Sequence, residues 1–215
     1  MTKSNKYLIL VNKFNKFDKS MIKDFKFVET KDSDGKTYMV EDAYLALQEL
    51  EQYMSKKHLI AVSKTSIYRT HEQQQATLDY YIKKDGEVEA NKRVAKPGYS
   101  EHHTGLAIDV GVHKIHFPIE QNFYDYRLLK KVANRLVKQT KEEEEAMFKV
   151  LHSELSNFGF ILRYPEDKKD ITGVEFDEPW HIRYVGVENA KEMERLGMCL
   201  EEYVAHLKAQ ETSIN

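Results

Sequence analysis

The run LAIDVGV, residues 106–112, sets the strictest condition on how this chain can fold. It follows Gly105, it is short and rich in β-branched residues, and it reads as a strand. Asp109 lies in its middle. A carboxylate in an apolar strand is costly unless it is paired or holds a cation. Any fold must therefore bring compensating charge to this strand. Two histidines, His102 and His103, stand just before it in YSEHHTGLAIDV (99–110). They raise the question of whether this is part of a metal site and which of them binds.

A second stretch, EPWHIRYVG (178–186), carries a glutamate with a histidine three residues on. A catalytic zinc takes three protein ligands and leaves a position for water. It also needs a carboxylate nearby to take the water's proton. One histidine of the 102/103 pair, Asp109 and His181 supply such ligands, and Glu178 supplies the base. Pro179 argues against a helical HExxH arrangement, so Glu178 and His181 are expected on a turn entering a strand. Each piece has a plainer reading as well: loop histidines, and a salt-linked turn. In SIYRTHEQQ (66–74), Arg69 falls between a strand and a helix, where loops present side chains to sites. Its fork suits a carboxylate; the plain alternative is a surface arginine.

Composition narrows the classes. The single cysteine, Cys199, excludes an intrachain disulfide and a cysteine-rich zinc site, and its apolar neighbours suggest a buried thiol. A net charge of -2 gives no case for nucleic-acid binding by bulk electrostatics. No run approaches the ~20 apolar residues of a membrane span, and the apolar run 7–11 is too short for a secretory leader. The expectation is a cytoplasmic protein, or an extracytoplasmic one if a leader has been removed.

At 215 residues, one domain is expected over 1–215. Strands are expected at 7–11, 59–65, 106–112, 160–164, 174–177 and 181–186, and an Asp-Gly turn within 31–38. A helix through Ala43, Leu47, Leu50 and Met54 follows the apolar spacing. Others are expected at 70–84, through Leu128, Val132 and Leu136, from Lys141 (Thr140 and Glu143 have capping-box spacing) to near Gly159, and over 188–208 with a break at Gly197. Residues 87–105 read as irregular. His113 and His116 read as surface residues. The sum is an α+β fold with a small, mostly antiparallel sheet and flanking helices.

The three chemical stretches, in this order, resemble the VanY-type D-alanyl-D-alanine carboxypeptidases, within the zinc peptidase group that includes VanX dipeptidases and the hedgehog amino-terminal domain. Ser100, His102, Gly105, Ala107 and Asp109 meet the Ser-x-His-x-x-Gly-x-Ala-x-Asp pattern; Glu178, Trp180 and His181 meet Glu-x-Trp-His, with Arg183 and Tyr184 following. Tyr68, Arg69, Thr70 and Gln74 meet a third motif, though Ile67 stands where the family commonly has glycine. The segment at about 113–141 is longer than in typical members of the family, which implies a family-variable insertion there. The resemblance implies a hedgehog/D-Ala-D-Ala-peptidase-like fold and one zinc ion on His102, Asp109 and His181. It implies Glu178 as general base and acid, and Arg69 on the oxyanion or the substrate carboxylate. It further implies Ser100, Gln74, Tyr68 and Trp180 near the substrate, a peptidoglycan stem peptide or precursor ending in D-Ala-D-Ala. A VanXY-like dipeptidase activity is compatible with it. The alternatives are an L,D-carboxypeptidase acting on tetrapeptide stems and a catalytically silent zinc-binding module.

Overall fold

A computed structural model describes residues 3–115 and 139–214. The expected helix through Leu128, Val132 and Leu136, His116 and most of the expected insertion lie outside the described residues.

The centre is a four-stranded sheet in the order β3-β4-β6-β5, antiparallel throughout. Its strands are β3 (Ile60–Ser66), β4 (Ala107–Lys114), β5 (Phe160–Leu162) and β6 (His181–Tyr184). The period-2 alternation of β4 divides its labour. Ile108, Val110 and Val112 enter the main core, while Asp109 lies on the opposite face. The core face packs with α1 (Glu41–His58) through Leu47, Leu50 and Met54, and with α4 (Lys141–Glu154) through Met147 and Leu151. Each such side chain contributes roughly 1.5–3 kcal/mol by burial, so the sheet is a firm platform for its polar face.

A separate hairpin, β1 (Phe27–Asp32) with β2 (Gly35–Val40), turns through Ser33 and Asp34, within the span where turn chemistry is read from sequence. Its two strands were not foreseen. Helix α2 (His71–Asp85) starts at a Thr70–Gln73 capping box, and α4 starts at the expected Thr140–Glu143 box. The C-terminal part breaks at Gly197 as expected, between α5 and α6 here defined as Val187–Leu196 and Leu200–Ile214. Among the described residues no helix is long and apolar enough to cross a membrane.

Three local expectations are corrected. Residues 7–11 are not a strand: Lys3–Tyr7 is a 3-10 turn, and the chain then runs extended without a ladder. Its carbonyls are satisfied otherwise, since Arg183 Nη2 donates to the carbonyls of Tyr7 (2.9 Å) and Ile9 (2.8 Å). Residues 174–177 are irregular: among the described residues no strand pairs with them, and Val174, Phe176 and Asp177 line a cleft instead. Phe176 lies under Arg93 at 4.9 Å. Residues 87–93 form a short helix, α3 (Glu87–Arg93), with Ala90 buried. Acids in its first turn and bases in its last suit the macrodipole, a signal that the nearby Pro97 and Gly98 obscure in the sequence.

Candidate metal centre

The site grows from one register pair. Asp109 on β4 stands directly opposite His181 on β6, so their side chains share the polar face. Asp109 Oδ1 and His181 Nδ1 are 3.0 Å apart. The third member comes from the 3-10 turn Glu101–Thr104, where His102 Nε2 lies 3.3 Å from Asp109 Oδ2. Gly105 closes that turn with φ of +69°, and an added Cβ would meet Phe27 Cε1 at 2.5 Å. Glycine is therefore required three residues after the histidine, which gives the motif spacing its physical cause.

The two neighbouring histidines have different jobs. His102 donates from Nδ1 to the carbonyl of Ile67 (2.5 Å), which leaves the Nε2 lone pair facing the centre. Burial, then the Arg69 charge, push His102 down to about 4, so it is neutral at pH 7. His103 spends both nitrogens on the backbone: Nδ1 donates to the carbonyl of Arg69 (2.7 Å), and Nε2 accepts from the Gly98 amide (2.9 Å). His103 is a strut for the loop carrying Arg69. His103→Ala should cost about 1–3 kcal/mol of stability, the price of two unpaired buried backbone groups. It should leave zinc content unchanged, as read by thermal melting and metal analysis; loss of zinc would mean that the wrong histidine has been assigned.

Glu178 is held by a tight turn. The His181 amide donates to the Glu178 carbonyl (3.0 Å), and the Pro179 carbonyl is gripped by His152 Nε2 of α4 (2.8 Å). The Trp180 carbonyl accepts from the Val110 amide, tying the turn to β4. This is the turn entering a strand that the sequence implies. Glu178 Oε2 lies 3.8 Å from His181 Nδ1. Burial raises its pKa, with the Asp109 charge adding to the effect. That shift brings a carboxylate nearer to the range where it exchanges protons at neutral pH.

Arg69 reaches into the same point. Its Nη2 donates to Asp109 Oδ2 (2.7 Å) and lies 3.1 Å from His102 Nε2. Nε is held by Ser66 Oγ and Nη1 by Gln74 Oε1. Gln74 is 1% exposed and its amide donates to the Ala95 carbonyl, so both of its ends are engaged and it fixes Arg69. Ser100, Gln74, Trp180, Arg69 and Glu178 all line a cleft of about 370 Å³ together with the three candidate ligands. Trp180 stands at its rim, 42% exposed. Tyr68 is not among the residues lining it, and its ring packs edge-on to Phe27.

The residues present fit a zinc ion. One donor atom from each of His102, Asp109 and His181 falls within 4.8 Å of the others, the only such group among the described residues. Asp109 Oδ1 is buried without a hydrogen-bond partner, an expensive condition unless a cation meets it. Burial alone would raise the Asp109 carboxyl, yet His102 and His181 hold it well below the usual range. His181, which burial would lower, is instead raised to about 9 by the carboxylates facing it, Asp109 first and then Glu101.

Two contributors were missed from sequence. Tyr164 lines the cleft with its ring 5.0 Å from that of His181. Glu101 is buried beneath His181. An acid adjacent to a motif histidine shows no periodicity that would mark it as interior.

Comparison with known proteins identifies the family. Residues 36–187 match the family described as VanY: D-alanyl-D-alanine carboxypeptidase. The bifunctional D-Ala-D-Ala dipeptidase and D-Ala-D-Ala carboxypeptidase VanXYC of Enterococcus gallinarum is 37% identical over 140 residues, covering 65% of this chain and 64% of that protein. The chain thus spans somewhat less than two thirds of that relative's length. A solved structure of a mutant of the vancomycin resistance D,D-pentapeptidase VanY, in complex with Zn(II), superposes with a TM-score of 0.68 at 29% identity, over 93% of this chain and 99% of the other. VanYB in complex with D-alanine-D-alanine gives 0.66 at 30% identity, over 93% and 97%. The LdcB LD-carboxypeptidase gives 0.68 at 28% identity, over 95% and 88%.

Proposed function

Because this chain belongs to the VanY family of D-alanyl-D-alanine carboxypeptidases, we propose that it is a one-zinc D,D-carboxypeptidase removing the terminal D-Ala from peptidoglycan stem peptides or precursors. The observation carrying this reading is the Asp109–His181 register pair, closed by His102 and overlooked by Glu178. His102 Nε2, His181 Nδ1 and an Asp109 oxygen would hold the ion. When bound, zinc supplies polarisation of the scissile carbonyl and acidifies a water. Glu178 takes the proton of the attacking water and returns it to the departing D-Ala amine. Arg69, pinned by Ser66 and Gln74, directs its N–H donors toward the cleft. There it stabilises the oxygen that gains charge at the scissile carbonyl, or grips the terminal carboxylate. Ser100 and Trp180 bound the space for the substrate.

The equal structural likeness to an LD-carboxypeptidase favours one second reading, cleavage of the tetrapeptide stem. Mass spectrometry of a pentapeptide ending in D-Ala-D-Ala, the tetrapeptide and free D-Ala-D-Ala, each incubated with zinc-loaded protein, separates the readings. Loss of one alanine from the pentapeptide is the expected result. Splitting of the free dipeptide as well adds the dipeptidase activity. Cleavage of the tetrapeptide alone moves the chain to L,D chemistry, and cleavage of none of them rejects the proposal.

A further inference from the structure

Beneath the candidate ligands lies a buried charge cluster that the mechanism above does not use. Arg163 and Arg183 are both fully buried. Arg163 Nε (2.9 Å) and Arg183 Nη1 (2.8 Å) donate to the same oxygen, Glu101 Oε1. Arg163 also forks onto Glu201 of α6, at 2.8 and 2.6 Å. Two cations and two carboxylates thus balance in a dry environment. One atom is left over. Glu101 Oε2 has no hydrogen-bond partner, is buried, and lies 3.7 Å from His181 Nε2, which is also buried and unpartnered.

The ring of His181 is directional. Its Nδ1 faces Asp109 and Glu178. Coordination through Nδ1 places the remaining proton on Nε2, where a buried N–H requires an acceptor. Glu101 Oε2 is the facing oxygen, and its partner oxygen is locked by two arginines, so the carboxylate cannot swing away.

We infer that Glu101 is a positioning residue for the metal centre: anchored by Arg163 and Arg183, it accepts the Nε2 proton of His181 and sets that ligand's tautomer, orientation and basicity. The inference rests on the reading of His102, Asp109 and His181 as zinc ligands. The alternative is that Glu101 only neutralises two buried arginines.

Zinc dissociation constants, measured by chelator competition on wild type, Glu101→Gln and Glu201→Gln, distinguish these roles. In Glu101→Gln the amide oxygen remains claimed by the arginines, so its NH₂ faces the His181 N–H, donor against donor. Zinc affinity should fall about 10- to 100-fold, the usual effect of losing an outer partner of a metal-bound histidine. Glu201→Gln removes charge from the same cluster without facing His181; it should lower the melting temperature and leave zinc affinity unchanged. Equal loss of affinity in both variants, or in neither, overturns the positioning role. Absence of zinc binding by wild type instead overturns the ligand assignment. Should Glu101→Gln fail to fold, wild type labelled with ¹⁵N-histidine decides. In the zinc-loaded protein the His181 Nε2 proton should be far downfield and slow to exchange. A ring protonated on Nδ1, or a rapidly exchanging Nε2 proton, refutes the inference.

Discussion

Asp109→Asn will empty the metal centre while leaving the fold standing. Asparagine keeps the shape of the side chain and loses the charge, and charge is what Asp109 contributes: a carboxylate whose Oδ1 faces His181 and whose Oδ2 faces His102 and Arg69. Removing a direct ligand should weaken zinc binding by more than the ~10–100-fold that loss of an outer partner costs. Peptide cleavage should fall with it to the uncatalysed level. The fold should persist because the opposite face of β4 (Ile108, Val110, Val112) makes the core contacts and is untouched. Metal content and circular dichroism on one preparation check both halves. An Asp109→Asn protein that retains stoichiometric zinc would show that the ion is held elsewhere.

The same two-faced strand explains what was readable in the sequence. A carboxylate in LAIDVGV calls for compensating charge beside the strand, and Pro179 calls for a turn before His181. Both are local statements, and both hold in the structure. The helix at 41–58 was legible from its apolar spacing and that at 141–154 from its capping box and apolar spacing, and these signals are also local. The failures depend on distant partners. Residues 7–11 have the composition of a strand, but their carbonyls are taken by Arg183, more than 170 positions away. Nothing in YLILV encodes that. Outside the family pattern, nothing in the sequence tells His102 from His103. What separates them is where their nitrogens point after folding, one toward Asp109 and the other into the backbone of Arg69 and Gly98. Glu101 escaped notice because its donors, Arg163 just past β5 and Arg183 of β6, and the facing His181 meet it only in the folded chain.

Glu178→Gln, in contrast to Asp109→Asn, should separate metal from chemistry. Glutamine is nearly isosteric, and the turn that carries it is fixed by backbone bonds from His181 and Val110 and by His152 on Pro179. None of these involves the Glu178 carboxylate, so the side chain should stay in place. It lies 3.8 Å from His181 Nδ1, near the centre without belonging to the compact donor set. Zinc stoichiometry should therefore equal that of wild type. A glutamine amide cannot accept the water's proton or deliver one to the departing amine, so kcat for D-Ala release should fall by at least the ~10²–10⁴-fold typical of general acid–base catalysis. KM should change little, because the Arg69, Ser100 and Trp180 walls of the cleft remain. The pair of variants then reads as two distinct losses: Asp109→Asn without metal and without activity, Glu178→Gln with metal and without activity. If Glu178→Gln loses zinc as well, Glu178 is a ligand, and the base must be sought among the other groups facing the cleft. If it keeps both zinc and full activity, proton transfer does not run through Glu178, and the raised carboxyl at this turn serves only to complete the charge balance around His181.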